Sequence, residues 1–160
     1  MNQLPEASSY RATVLNPHLC FADPELKQGQ VAKNKLGLAL VWSGQCAIVF
    51  RLQTPEGIRA VRCFTSHISD QQERYAKLNQ HVQERYVPTL VDFEYQAKGM
   101  QVNGTWYPIV KMEWVHGLSL DQQIAAWIRS GNIARLDALA QQWANVIGEL
   151  QQAQIAHGDL

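Results

Sequence analysis

Three short apolar runs lie in the first half of the chain, and turn-forming residues separate them. Leu36–Trp42, Ala47–Leu52 and Ile58–Phe64 are therefore predicted to be strands. Between them lie the sequences Ser-Gly-Gln at 43–45 and Thr-Pro-Glu-Gly at 54–57, which favour tight turns. The pattern predicts an antiparallel meander.

The apolar spacing becomes helical after the third run. One stripe stops before Pro88 and consists of Tyr75, Leu78, Val82 and Tyr86. Two further predicted strands, Leu90–Tyr95 and Trp106–Trp114, flank Asn103-Gly104, which is the strongest two-residue signal for a hairpin. The total is five strands, with one helix between the third and the fourth.

The remaining segments are predicted to be helical or irregular. A capping box that begins at Ser119 opens a helix to about Arg129. A longer helix follows, and its apolar stripe consists of Leu136, Leu139, Trp143, Val146, Ile147 and Leu150. Residues 1–30 contain several prolines and little periodicity, which predicts an irregular extension with one short helix. The predicted fold class is α+β.

The composition of the chain argues against nucleic acids and membranes as binding partners. Apolar residues make up 46% of the chain and charged residues 18%, as in soluble globular proteins. Fourteen basic and fourteen acidic residues cancel, so we expect no nucleic-acid partner. No apolar run is long enough to span a bilayer and no secretion signal is recognisable, so we expect no membrane association. The three cysteines share no metal-binding spacing, which favours free thiols in the cytoplasm.

The segment Pro108–Leu120 (PIVKMEWVHGLSL) resembles the fifth strand and hinge of protein kinases. The resemblance implies that Met112 lies beside the adenine of ATP. It also implies that the backbone C=O of Glu113 and the N–H of Val115 bind the adenine edge. The alternative is a strand, a glycine break and a capped helix without a ligand.

Two earlier segments fit the same resemblance. WSGQCAIVF at 42–50 is similar to the Gly-rich loop that covers the phosphates, which implies that Gly44 is its middle glycine and that Val49 packs on the adenine. The sequence Ala60-Val61-Arg62 is similar to the third-strand Ala-(Ile/Val)-Lys motif, with Arg62 as the cation that holds the phosphates. The alternatives are an ordinary turn at Gly44 and a solvent-facing Arg62.

Kinases pair the third-strand cation with a helix glutamate, and Glu73 is the candidate for this role. Its alternative role is a surface position at the start of the helix, paired with Lys77 four residues later.

The end of the chain carries the base of the implied reaction. His-Gly-Asp-Leu at 157–160 resembles the His-Arg-Asp-Leu catalytic loop, which implies that Asp159 accepts the proton of the acceptor hydroxyl. Gly158 stands in place of the arginine, as in small-molecule kinases similar to the aminoglycoside phosphotransferases. The catalytic candidates are therefore Asp159, Arg62 and Glu73.

Together these motifs resemble bacterial protein-kinase-like domains. The expected organisation is an N-terminal extension over 1–35, a five-stranded small lobe over 36–115 and the start of a large lobe over 116–160. The implied ligands are ATP and Mg²⁺, and the acceptor is a hydroxyl of a protein Ser/Thr or of a small molecule. The usual magnesium ligands follow the catalytic loop in kinases, so this chain is expected to be an inactive fragment of such an enzyme. The alternatives are a pseudokinase or interaction module, and a structural domain without a nucleotide site.

Overall fold

The computed structural model describes residues 3–67, 70–85 and 87–156, which contain six helices and six strands in an α+β arrangement. The helices are α1 (Ala7–Thr13), α2 (Pro17–Cys20), α3 (Pro24–Lys27), α4 (Gln71–Glu84), α5 (Leu120–Arg129) and α6 (Ala134–Gln152). The strands are β1 (Gln30–Val31), β2 (Trp42–Ser43), β3 (Ala47–Thr54), β4 (Gly57–Phe64), β5 (Phe93–Val102) and β6 (Thr105–Glu113). The chain divides into a first unit, Met1–His81 with Val91–Trp114, and a second unit, Val82–Leu90 with Val115–Leu160.

The six strands form one antiparallel sheet in the order β1-β3-β4-β6-β5, and β2 also pairs with β3. The predicted count of five strands is therefore wrong, and the predicted first strand, Leu36–Trp42, is much too long. Only Trp42–Ser43 pairs with β3. The predicted strand instead begins in a turn, where the Gly37 N–H donates to the Asn34 C=O at 3.0 Å, and Ala39 then pairs with Lys33. The Asn34 side chain accepts hydrogen bonds from the Leu36 and Leu38 N–H groups, so this turn shortens the strand.

The hairpin between β5 and β6 is confirmed. Asn103 and Gly104 have φ angles of 48° and 81°, as a type I′ turn requires at both central positions. A register shift between Gln96 and Met100 interrupts the ladder between these strands. The turn sequence therefore predicts the hairpin but not the register shift within it.

One face of the sheet, here called the back face, carries Phe50, Val61 and Ile109, all fully buried. Residues 3–30 cover it with α1, α2 and α3, so the predicted irregular extension with one short helix is wrong. The covering side chains that are fully buried are Tyr10, Val14, Phe21 and Leu26. The N-terminal segment is thus part of the core of the first unit.

The opposite face, here called the front face, carries Val49, Ala60, Arg62 and Met112. Residues that oppose each other in an antiparallel pair project to the same side, and the pairs are Val49 with Arg62 and Ala60 with Met112. Tyr75 of α4 packs beside the front-face residues Phe64, Phe93 and Tyr95. Of the predicted α4 stripe, Leu78 is 37% exposed, and Tyr86 lies outside the described residues.

In the second unit, α5 begins after Ser119 as predicted, and the Ser119 N–H donates to Gln122 Oε1 at 3.4 Å. Leu150 of α6 is buried with Val87 and Ala153, whereas Trp143 is 38% exposed. No helix in the described ranges is both long and apolar enough to cross a bilayer.

Candidate functional site

Register brings four of the predicted nucleotide contacts together on the front face. Val49 on β3 opposes Arg62 on β4, and Ala60 on β4 opposes Met112 on β6. Ala60 is buried, and the other three side chains are half-buried. Val61, the neighbour of Arg62, is fully buried on the back face. Arg62 is therefore on the same side of the sheet as the predicted adenine contacts.

Gly44 lies in the turn between β2 and β3, where its N–H donates to the Ala47 C=O at 2.9 Å. A Cβ at Gly44 would lie 3.6 Å from that oxygen, which is an ordinary van der Waals distance. Packing in the turn does not require glycine here.

The structure does not join Arg62 to Glu73. The Arg62 guanidinium lies over the Phe64 ring, 5.7 Å from its centroid. The Glu73 carboxylate instead contacts Lys77 Nζ at 2.6 Å, with both side chains mostly exposed. A hydrogen bond from Lys77 lowers the pKa of Glu73. This is the surface i,i+4 pair that the sequence offered as the alternative role.

The predicted hinge residues lie where β6 ends. The Trp114 N–H donates to the Ile58 C=O on β4 at 3.0 Å. Successive residues of a strand direct their backbone groups to opposite sides, so the C=O of Glu113 points away from β4. Val115 belongs to the second unit and is 65% exposed. Gly117, with φ of 150°, adopts a conformation that favours glycine.

An aromatic pair lies on the same side of the sheet. The ring centroids of Trp42 and Trp114 are 4.7 Å apart, and the ring planes are inclined by 58°. The Arg51 guanidinium lies 5.8 Å from the Trp114 ring centroid, within the range of a cation–π contact. Trp42 is nevertheless 45% exposed. The predicted adenine region therefore has two indoles in contact with each other.

Sequence reasoning missed a cluster of charged side chains on the back face. Lys111 Nζ lies 2.6 Å from Asp23 Oδ2, 3.0 Å from Glu94 Oε2 and 3.4 Å from Glu25 Oε2. Arg59 Nε also contacts Glu25 Oε1, at 2.5 Å. These residues are far apart in the sequence, Asp23 and Lys111 by 88 positions. No local pattern signals such a cluster.

Burial and the contacts between opposite charges shift the pKa values of this cluster in opposite directions. Burial raises the pKa of Asp23, but hydrogen bonds from Lys111, the Leu26 N–H and Gln96 outweigh it and leave the pKa below its usual value. Burial alone would lower the pKa of Lys111, yet its carboxylate partners raise that pKa above its usual value. The charged forms are therefore the stable ones. Lys111, Arg59 and Glu25 border a cleft of about 250 Å³.

Two parts of the predicted site have no structural counterpart to report. Asp159, the predicted base, lies outside the described residues. Within the part of the chain that the structure describes, no group of His, Cys, Asp or Glu side chains could hold a metal ion.

Comparisons of the chain with protein-family models, with curated proteins and with solved structures give no match. The function is therefore inferred from the residues and their geometry.

Proposed function

We propose that this chain carries the nucleotide-binding part of a kinase-like phosphotransferase that uses ATP. The observation that carries the proposal is the register of β3, β4 and β6. It places an apolar surface of Val49, Ala60 and Met112 beside the cation of Arg62. A purine nucleotide has this same division into an apolar base and anionic phosphates.

In this proposal each group has one task. Val49, Ala60 and Met112 pack against the base, and the backbone C=O of Glu113 accepts a hydrogen bond from the adenine edge. The N–H of Val115 donates to the same edge.

The phosphates require positive charge and N–H donors. The Arg62 guanidinium supplies charge, and the turn at Gly44 supplies backbone donors. Mg²⁺ would neutralise the phosphate oxygens when bound, and we assign it no ligand among the described residues. Asp159 is proposed as the base that orients a hydroxyl acceptor, either on a protein Ser/Thr or, given Gly158, on a small molecule.

A thermal melt with and without millimolar Mg-ATP tests nucleotide binding. A ligand that binds only the native state stabilises it by about 2.7 kcal/mol when its concentration is 100 times Kd. We expect ATP to raise Tm of the wild type, and Arg62→Gln to reduce that rise. Arg74→Gln, which removes an exposed cation from α4, is the matched control and should respond to ATP as the wild type does. An unchanged Tm with ATP would refute the proposal.

The positions of Arg62 and Glu73 favour a second function, a pseudokinase that binds nucleotide or a protein partner without phosphoryl transfer. Active kinases need the pair between the third-strand cation and the helix glutamate, and here Glu73 contacts Lys77 instead. Radiolabelled ATP with protein and small-molecule acceptors distinguishes the two functions when it is tested on a protein that carries this chain together with the magnesium ligands expected after the catalytic loop. Phosphoryl transfer that Asp159→Asn abolishes would exclude the pseudokinase.

A further inference from the structure

The Trp42–Trp114 contact crosses the part of the front face to which the proposed function assigns the base. Trp42 on β2 opposes Val49 of β3, whereas Trp114 follows β6, two residues after Met112. The path from β2 to β6 passes over β3 and β4, three strand spacings or about 14 Å. The ring centroids are only 4.7 Å apart, so the two side chains reach towards each other over the intervening strands.

The residues beneath this contact are those of the proposed base site. Arg51 and Ala60 oppose each other on β3 and β4, the two strands that separate β2 from β6. The Arg51 guanidinium, from β3, lies 5.8 Å from the Trp114 ring centroid, so the ring is within reach of a side chain of that strand. Ala60 is only 7% exposed although it carries the smallest side chain of the group. The indole pair therefore lies above the apolar surface that a base would use.

The spacing of the rings leaves no room for a base between them. An aromatic ring inserted between two others needs a carbon–carbon contact of about 3.5 Å on each side, or about 7 Å in all. The observed separation is 4.7 Å. A base can therefore enter between the two rings only after they part.

We propose that Trp42 and Trp114 form a gate over the nucleotide site. The gate is closed when the site is empty, and the base of ATP must open it in order to bind. This inference rests on the proposed function, because it assigns regulation to the same site. Trp42 is the moving half, since it lies on a two-residue strand and is 45% exposed. Arg51 holds Trp114 in place.

The gate lowers the apparent affinity for ATP, because part of the binding free energy is used to separate the rings. Removing the contact should therefore tighten binding. An aromatic pair corresponds to a factor of about 2 to 12 in an equilibrium constant. Trp42→Ala is expected to lower Kd for Mg-ATP by such a factor.

The experiment combines calorimetric titration of Mg-ATP with far-UV circular dichroism of the full chain. Two indoles in contact give an exciton couplet. We expect the couplet in the free wild type, its loss on saturation with ATP, and its loss in Trp42→Ala without ligand. Trp106→Ala is the matched control, because Trp106 is 38% exposed on β6 and lies at the opposite end of that strand. It should keep both the couplet and the wild-type Kd.

The outcomes separate the gate from the proposed function. Tighter binding by Trp42→Ala than by the wild type supports the gate. Equal or weaker binding by Trp42→Ala overturns the gate while nucleotide binding stands, and weaker binding would mean that the indole stacks on the base. A couplet that persists at saturation also overturns the gate. If neither protein binds ATP, the proposed function fails and the gate fails with it.

Discussion

Replacing Lys111 with methionine removes one cation from a buried cluster and keeps most of the side-chain volume. The Lys111 side chain is 17% exposed, and its partners Asp23 and Glu25 are 7% and 8% exposed. Its ammonium group lies within 3.4 Å of both carboxylates, and 3.0 Å from Glu94. The variant would leave these carboxylates in place with one fewer opposite charge.

The expected cost follows from what each carboxylate retains. Removing one partner of a buried ion pair costs about 3–5 kcal/mol. Asp23 keeps its hydrogen bonds from the Glu25 and Leu26 N–H groups, and Glu25 keeps its contact with Arg59. The lower end of the range therefore applies, about 3 kcal/mol. This is a large fraction of the 5–15 kcal/mol that is typical of a whole domain.

Urea denaturation followed by circular dichroism measures the loss. Lys77→Met is the matched control, because the Lys77–Glu73 contact has the same length of 2.6 Å as that between Lys111 and Asp23. The Lys77 side chain is 75% exposed, so its replacement should leave the midpoint almost unchanged. A loss below about 1 kcal/mol for Lys111→Met would refute the reasoning, because that is the range of exposed pairs. Equal losses in both variants would do the same.

Acid pH and the replacement of two glycines are also predicted to change the stability of the protein. In the folded state the pKa of Asp23 lies below its usual 3.8 and that of Glu25 below its usual 4.5. The two ionised carboxylates therefore stabilise the folded state above about pH 4.5. This contribution is lost as the pH falls through the lowered pKa values. Denaturation midpoints measured from pH 7 to pH 2 should show this decline, and a decline of the same size in the Asp23→Asn, Glu25→Gln double variant would contradict it. Gly99→Ala should destabilise by about 1–3 kcal/mol, because its Cβ would lie 2.6 Å from Ile109 Cδ1 and closer still to Cγ1. Gly148→Ala in α6 meets no atom within 4 Å and should instead stabilise by up to about 1 kcal/mol, and thermal melts that reverse this order would overturn the packing argument.

Local signals predicted the elements that depend on local chemistry. Asn103-Gly104 forms its hairpin and Ser119 opens α5, because each motif meets the backbone requirements of its own turn. The prolines of residues 1–30 misled the prediction, because Pro17 and Pro24 stand at the first position of short helices, where a missing N–H costs nothing. Helices of four residues show no period, so only tertiary packing reveals them.

The candidate site likewise has features that the local sequence predicted and features that depend on tertiary structure. Successive residues of a strand face opposite sides of the sheet, so burial of Val61 places Arg62 on the other face. That Arg62 lies opposite Val49 depends on register, which a single strand does not specify. Glu73 contacts Lys77, which is its neighbour on the same helix, and the sequence offered this pair as an alternative. The cluster around Lys111 depends on contacts between segments that are distant in the sequence, so it could not be predicted.

The N-terminal segment links the two edges of the sheet. Phe21 pairs with Met100 of β5 at one edge, and Gln30–Val31 pair with β3 at the other. During synthesis on the ribosome this segment emerges before β6, and the Asp23–Lys111 contact cannot form until 88 more residues have been added. At 5–20 residues per second the delay is roughly 4–18 s. Throughout that time Phe21 and Leu26 have no completed sheet to cover, so the nascent chain exposes apolar surface until β6 appears.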